Sequence, residues 1–296
     1  MTTPHAEMME KIKSGKGFIA ALDQSGGSTP KALKGYGVEE DAYSNEEEMF
    51  GLIHQMRSRI VTAPCFNGDK VIGAILFERT MDGEANGKPV PTLLWERGVV
   101  PFIKVDKGLE DEVNGVQLMK ANPTLDELCK RSVAKGVFGT KMRSVVNLAN
   151  EAGIKAIVEQ QFAEAARIAS HGLVPMIEPE VNIKSPERDA ADRILLTEIL
   201  AALDSWTGEP VMLKISIPVE NNLFAPLVDH PKVLRVVALS GGYSRPDACE
   251  KLAANRGMIA SFSRALLEDL RVQLSDDEFD ASLSSAIDEI YAASIA

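Results

Sequence analysis

The chain has few histidines, few cysteines and no long apolar run, and each shortage removes a class of function. Four histidines, His5, His54, His171 and His230, are scattered over 296 residues, and no two stand at metal-ligand spacing. A catalytic zinc needs a tighter cluster, so no metal cofactor is expected and acid–base work falls to carboxylates and lysines. The three cysteines, Cys65, Cys129 and Cys249, are odd in number and far apart. That excludes a disulfide framework and points to reduced thiols in a cytoplasmic setting. No apolar stretch approaches the roughly 20 residues of a membrane span, and residues 1–10 lack the apolar core of a secretory signal. No Gly-x-Gly-x-x-Gly follows the first apolar run, so a dinucleotide site is not supported. Linkers, low-complexity tracts and repeats are also missing, and a single domain over residues 1–296 is the simpler expectation.

The formal net charge is −11. It argues against nucleic acid or an anionic membrane as partner, but a local cluster of Lys and Arg still suits an anionic small molecule. The acidic run Glu46-Glu-Glu48 reads as a solvated helix start. Composition leaves the oligomeric state open, and a homo-oligomer is compatible with it.

What is present begins with Lys214, inside the apolar run Pro210-Val-Met-Leu-Lys-Ile-Ser-Ile217. Burying an ammonium is costly, and an amine relieved of its proton attacks carbonyl carbons. A lone lysine in such a run more often sits at a strand end with its head in water. Here it belongs to a series. Apolar runs at 17–23, 71–77, 99–106, 137–143, 173–180, 210–217, 233–240 and 257–264 predict eight strands, and most end in polar residues. Among those residues are Asp23, Lys104, Asp106, Lys141, Arg143, Glu178, Glu180, Ser240 and Arg264. Amphipathic segments at 159–171, 187–205 and 246–255 predict intervening helices. Strands alternating with helices indicate a parallel sheet. Eight such units predict an α/β fold, a (β/α)8 TIM barrel whose chemistry lies at the C-terminal strand ends.

Two features refine the chemistry. Glu178 and Glu180 lie two apart and so face the same side of a strand. Crowding predicts that one of them exchanges protons near neutral pH, and a salt bridge to a neighbouring lysine is an equal reading. Ser240-Gly-Gly-Tyr-Ser244 follows a strand and precedes a helix, a place where backbone N–H groups and the helix field receive an anion. Arg264 ends the next strand and is a natural phosphate fork. Asp23-Gln-Ser-Gly-Gly-Ser28 is a second glycine-serine loop. Together they predict a phosphorylated substrate.

Taken in order, several segments resemble the class I fructose-bisphosphate aldolases, of the shorter bacterial kind. They are Ala20-Ala-Leu-Asp-Gln-Ser-Gly-Gly-Ser28, Ile103-Lys-Val-Asp-Lys-Gly108, Thr140-Lys-Met-Arg143, Pro175-Met-Ile-Glu-Pro-Glu180, Met212-Leu-Lys214 and Leu239-Ser-Gly-Gly242. The resemblance implies a metal-free lyase acting on a sugar bisphosphate, on a barrel with an N-terminal helical extension and a C-terminal helix. It implies that Lys214 forms a Schiff base with the ketose carbonyl and that Glu178 moves protons for its formation and cleavage. Asp23 would orient the intermediate and assist carbon–carbon cleavage, and Lys141 would stabilise charge near the reacting carbons. Glu180 would help proton transfer or hold the lysines. Ser240, Gly241, Gly242 and Arg264 would bind one phosphate with a contribution from Ser28, and Lys104 and Arg143 would line the cleft. The sequence departs from the family at Gln24, where an acid is usual, at Ala32 beside Lys31, and at Phe262-Ser263 in place of a tyrosine-glycine pair. It also lacks the long tail ending in tyrosine of the animal members, and Tyr291 reads as a helix residue. Another Schiff-base barrel, such as a tagatose-bisphosphate aldolase or a transaldolase, keeps the lysine and a carboxylate. A sugar-phosphate sensor on the same barrel would need neither.

Overall fold

Among the described residues, the eight apolar runs form eight parallel strands: β1 (Phe18–Leu22), β2 (Val71–Leu76), β3 (Val100–Lys104), β4 (Gly139–Val146), β5 (Val174–Val181), β6 (Val211–Ser216), β7 (Val233–Leu239) and β8 (Ile259–Ala260). The computed structural model describes residues 3–25 and 27–296; Gly26 of the 23–28 loop lies outside them. Each strand pairs with its successor in the chain, and the Ala21 N–H donates to the Phe262 carbonyl at 3.1 Å, which brings β8 against β1 and closes the barrel. The expected TIM barrel is the fold.

The period-2 alternation of a strand decides what enters the barrel. Ile19, Phe102, Phe138, Met176, Met212, Val237 and Ile259 form one buried cluster inside it. Met176 and Met212 are paired in register. Two residues further along the same inward face stand Glu178 and Lys214, so the alternation that fills the core with methionine delivers charge to the C-terminal mouth.

The helix α1 (Pro4–Ser14) starts at a Thr3 cap with Pro4 in its first turn, and its Met8 and Ile12 join the interior cluster. It plugs the N-terminal end of the barrel, opposite the mouth. Outside the barrel, α2 (Thr29–Tyr36), α3 (Glu46–Thr62), α4 (Leu125–Ala134), α5 (Glu151–Ala169), α6 (Arg188–Ser205), α7 (Arg245–Ala253) and α8 (Asp276–Ser294) cover the sheet. In α6 the stripe Ala191, Leu195, Ile199 and Leu203 recurs every four residues and is fully buried, the spacing that keeps one helix face on the sheet. The acidic run at 46–48 is the first turn of α3, capped by Asn45. The helix expected at 159–171 begins earlier, at Glu151, where Asn150 caps the Gly153 N–H at 2.9 Å.

The C-terminal helix α8 opens with a capping box between Ser275 and Glu278, and its Ser294 hydroxyl accepts the Ala260 N–H at 3.0 Å. That bond supports β8, the shortest barrel strand. Tyr291 lies in this helix, with the Lys70 ammonium 6.0 Å over its ring. Among the described residues no helix is long and apolar enough to cross a membrane.

Candidate active site

The C-terminal mouth of the barrel opens into a cleft of about 730 Å³. Each site residue expected from sequence lines it: Asp23, Ser28, Lys104, Lys141, Arg143, Glu178, Glu180, Lys214, Ser240, Gly241, Gly242 and Arg264.

At its floor four buried side chains form a chain of alternating charge. Lys141 Nζ lies 2.6 Å from Asp23 Oδ2 and 2.9 Å from Glu178 Oε2, and Lys214 Nζ lies 3.1 Å from Glu178 Oε1. Lys141 and Lys214 are only 3% and 4% exposed. Strand register sets these meetings. Lys141 is level with Met176 and reaches one layer up to Glu178; Arg143 is level with Glu178 and reaches one layer up to Glu180. Glu178 itself is anchored through its N–H to Gln161, whose amide donates to Ser144.

The two acids of β5 are therefore each given a cation of their own. Glu180 pairs with Arg143 and not with a lysine, so the alternative in which it holds the lysines does not describe the structure. Glu178 serves both lysines. Its Oε2, although near Lys141, is buried with no aligned hydrogen bond.

The three lysines are not equivalent. Burial works against the charge of Lys141, but Asp23, Glu178 and Asp106 outweigh it and hold its pKa well above the lysine range. Lys141 is thus a fixed cation, fitted to stabilise a developing oxyanion and unfitted to attack a carbonyl. Lys104 is tethered to Asp106 by its carboxylate at 2.5 Å and its carbonyl at 2.9 Å. Lys214 has a single carboxylate within ion-pair distance and sits between the apolar Leu213 and Ile215. Burial likewise opposes the charge of Asp23, and Lys141, Lys214 and Lys104 outweigh it, holding that carboxyl well below the usual carboxylate range.

A stability consequence follows, with the sign of a depressed acid. Asp23 contributes stability that is complete above the unfolded-state value of about 3.9 and is lost as pH falls through the folded value. The stability gap between wild type and Asp23→Asn is expected to shrink below about pH 4. Urea unfolding at pH 7 and pH 3 checks it; a gap that is constant or wider at pH 3 contradicts the pairing.

The phosphate loop has the backbone its glycines require. Gly241 and Gly242 have φ of 61° and 119°, the left-handed side where other residues are strained. A Cβ on Gly241 would lie 2.5 Å from Ile183, and one on Gly242 would lie 3.5 Å from the Arg264 guanidinium. Among the described residues the Arg264 side chain makes no hydrogen bond or ion pair, and its guanidinium stands against this loop at the cleft wall. Ser28 lines the cleft too, but its hydroxyl closes a turn with Ser25, accepting the N–H and donating to the carbonyl, each at 3.1 Å.

Two contributors are given no role by the sequence reading. Asp106 gathers Lys104, the Arg143 N–H at 3.2 Å and Lys141 at 4.0 Å; its signals were its place at the end of the 99–106 run and in Ile103-Lys-Val-Asp-Lys-Gly108. Arg57, fully buried in α3, reaches the β1 end through Gln24. Its signal was a charge on an otherwise apolar helix face.

The profile of the family described as fructose-bisphosphate aldolase class-I, glycolytic, matches residues 5–203. The class 1 fructose-bisphosphate aldolase of Porphyromonas gingivalis is 59% identical over 290 residues, spanning 98% of this chain and 99% of that protein. Its match takes in Lys214 and the phosphate loop, which lie beyond the profile. A solved fructose-bisphosphate aldolase from Plasmodium falciparum superposes with a TM-score of 0.80 at 20% identity, over 98% of this chain and 94% of its own. That likeness concerns the fold.

Proposed function

The chain belongs to the class I fructose-bisphosphate aldolase family, and on that premise we propose that Lys214 carries the Schiff base by which it reversibly cleaves D-fructose 1,6-bisphosphate to glycerone phosphate and D-glyceraldehyde 3-phosphate. One observation carries the assignment of residues. Of the four cleft lysines, Lys31, Lys104, Lys141 and Lys214, Lys214 alone is both buried and bound to a single carboxylate, Glu178 at 3.1 Å.

The steps follow from the geometry. Glu178 takes a proton from the Lys214 ammonium, and the amine adds to the ketose carbonyl carbon. Glu178 returns a proton as the carbinolamine loses water, leaving a protonated imine. A base then removes the proton of the fourth-carbon hydroxyl; the bond between the third and fourth carbons breaks, and its electron pair enters the imine as an enamine. Asp23 is the base. At rest Lys141 holds it anionic and weakly basic; a substrate hydroxyl entering between them loosens that pair and raises its basicity. Lys141 faces the oxygen where charge develops. Protonation of the enamine and hydrolysis of the imine release the second product and restore Lys214.

Ser240, Gly241, Gly242 and Arg264 take one phosphate, with Ser28 at the cleft rim, while Lys104 and Arg143 favour the anionic chain. Fixing the phosphates uses remote binding energy to orient the reacting carbons. Arg264→Ala is expected to raise KM for the bisphosphate about tenfold to a hundredfold, the loss of one charge-assisted contact. A substrate lacking the phosphate held there should be much less affected; equal effects on both would remove Arg264 from this role.

Class I aldolases work through a Schiff base and without a metal, and the imine cation supplies the electron sink a metal would otherwise provide. Activity on the bisphosphate is therefore expected to survive exhaustive chelation. Loss of activity that added zinc restores would refute the proposed mechanism. The whole reaction is assigned to one domain spanning residues 1–296.

A further inference from the structure

α3 carries a charge on its apolar face. Met49, Phe50, Ile53, Met56, Ile60 and Val61 form its buried stripe, and Arg57 stands among them with no exposed surface. A buried cation seldom adds stability, and an apolar side chain of similar volume usually serves as well. The partners of this one are neutral. One guanidinium nitrogen donates to the Gln24 carbonyl at 2.5 Å and to Gln24 Oε1 at 3.1 Å; the other donates to Thr80 Oγ1 at 2.9 Å; Nε has no partner. Gln24 is thus gripped by backbone and side chain together. Its amide nitrogen in turn donates to Ser263 Oγ at 2.6 Å and to the Ala21 carbonyl at 3.3 Å.

The position of this clasp gives it meaning. Gln24 follows Asp23, and Ser263 precedes Arg264. The two residues face each other across the seam where β1 meets β8, a strand of only two residues. Along that seam the Ala21 N–H to Phe262 carbonyl bond is the backbone link, and the Gln24–Ser263 bond lies beyond it, toward the mouth. The charge that acts on Arg57 is Asp23: burial lowers the guanidinium pKa to about 10 against the pull of that carboxylate.

We propose that Arg57 is a positioning residue of the reaction: by holding Gln24 it sets the Asp23 carboxylate at the reacting carbons and, across the β1–β8 seam, the segment that presents Arg264 to phosphate. This rests on the roles proposed above for Asp23 and Arg264. A planar fork suits the task, because Thr80 fixes one nitrogen and thereby the plane in which the other donates to the two Gln24 oxygens; an ammonium has no such plane.

The test compares Arg57→Met, Arg57→Lys and Gln24→Met with Asp23→Asn, each checked for cooperative thermal unfolding. Timed borohydride trapping reads imine formation, and single-turnover product release reads cleavage. Arg57→Met should form the imine within about threefold of the wild-type rate and cleave roughly ten- to a hundredfold more slowly, the scale of a misplaced catalytic group. Its KM should rise more for the bisphosphate than for a substrate lacking the phosphate at Arg264. Arg57→Lys should resemble Arg57→Met, since charge without the fork does not hold Gln24. Gln24→Met removes the same clasp and keeps Arg57, so it answers the question where Arg57→Met does not fold. A merely structural role predicts equal losses in both steps, through a smaller active fraction. Equal losses, or wild-type cleavage in Arg57→Met and Gln24→Met while Asp23→Asn accumulates imine, overturn this inference alone. An Asp23→Asn enzyme that cleaves normally overturns the reading of the site, and this inference with it.

Discussion

Asp23→Asn is expected to accumulate the covalent adduct, whereas Glu178→Gln is expected to form it slowly. The two acids differ in what they touch. Glu178 bridges Lys141 and Lys214 and is the carboxylate within reach of the Lys214 amine. Asp23 touches Lys141. Replacing Glu178 by glutamine keeps size and hydrogen bonding but removes the proton acceptor, so attack on the carbonyl and loss of water both suffer. Replacing Asp23 by asparagine leaves the Lys214–Glu178 pair intact and removes the base for cleavage. Each loss should be roughly 10²–10⁴-fold at its own step, the range of general acid–base catalysis. Single-turnover trapping at timed intervals separates them. Normal imine formation in the Glu178 variant with none in the Asp23 variant would mean that the two roles are exchanged.

Lys214→Met should lower kcat roughly 10⁴-fold or more, because the nucleophile acts as a unit with its proton acceptor and nothing else nearby can replace it. Lys141 is held cationic, and Lys104 is tied to Asp106. Methionine fills a similar volume, and Glu178 keeps Lys141 as its partner, so folding should be preserved. Steady-state assay with a thermal melt as control checks both halves; a well-folded variant retaining more than about 1% of activity would show that another lysine works.

The strands were legible because each joins a short apolar run to a polar end, and alternation then fixed the inward residues. Once Met176 and Met212 face the core, Glu178 and Lys214 must face the mouth. Strand ends were less legible. The run at 137–143 continues to Val146, paired with β5 as far as Val181 and, on its other side, antiparallel with Val116–Gln117, a partner no local pattern announces. The early start of α5 was masked by Gly153, a poor helix former. Its backbone lies against Val116, and a Cβ there would come within 2.5 Å of the Asn114 carbonyl.

Within the site, residue types at strand ends could be read, but the pairing among them could not. Nothing in Glu178-Pro-Glu180 says that Arg143 takes Glu180 while Lys141 takes Glu178; that depends on the register between β4 and β5. Asp106 stood in a recognisable segment, yet its service to Lys104, Lys141 and Arg143 exists only once two neighbouring strands close around it. Arg57 lies 33 residues from Gln24 and 23 from Thr80, and its place on an apolar stripe was the one trace of its role.

The central claim is that Lys214 carries the imine. Borohydride added to the enzyme turning over D-fructose 1,6-bisphosphate should inactivate it irreversibly and add the mass of the reduced sugar-phosphate adduct to the peptide containing Lys214. No such mass should appear without substrate or in Lys214→Met. Label on the peptide holding Lys104 or Lys141, or full activity with no covalent adduct, would contradict the account.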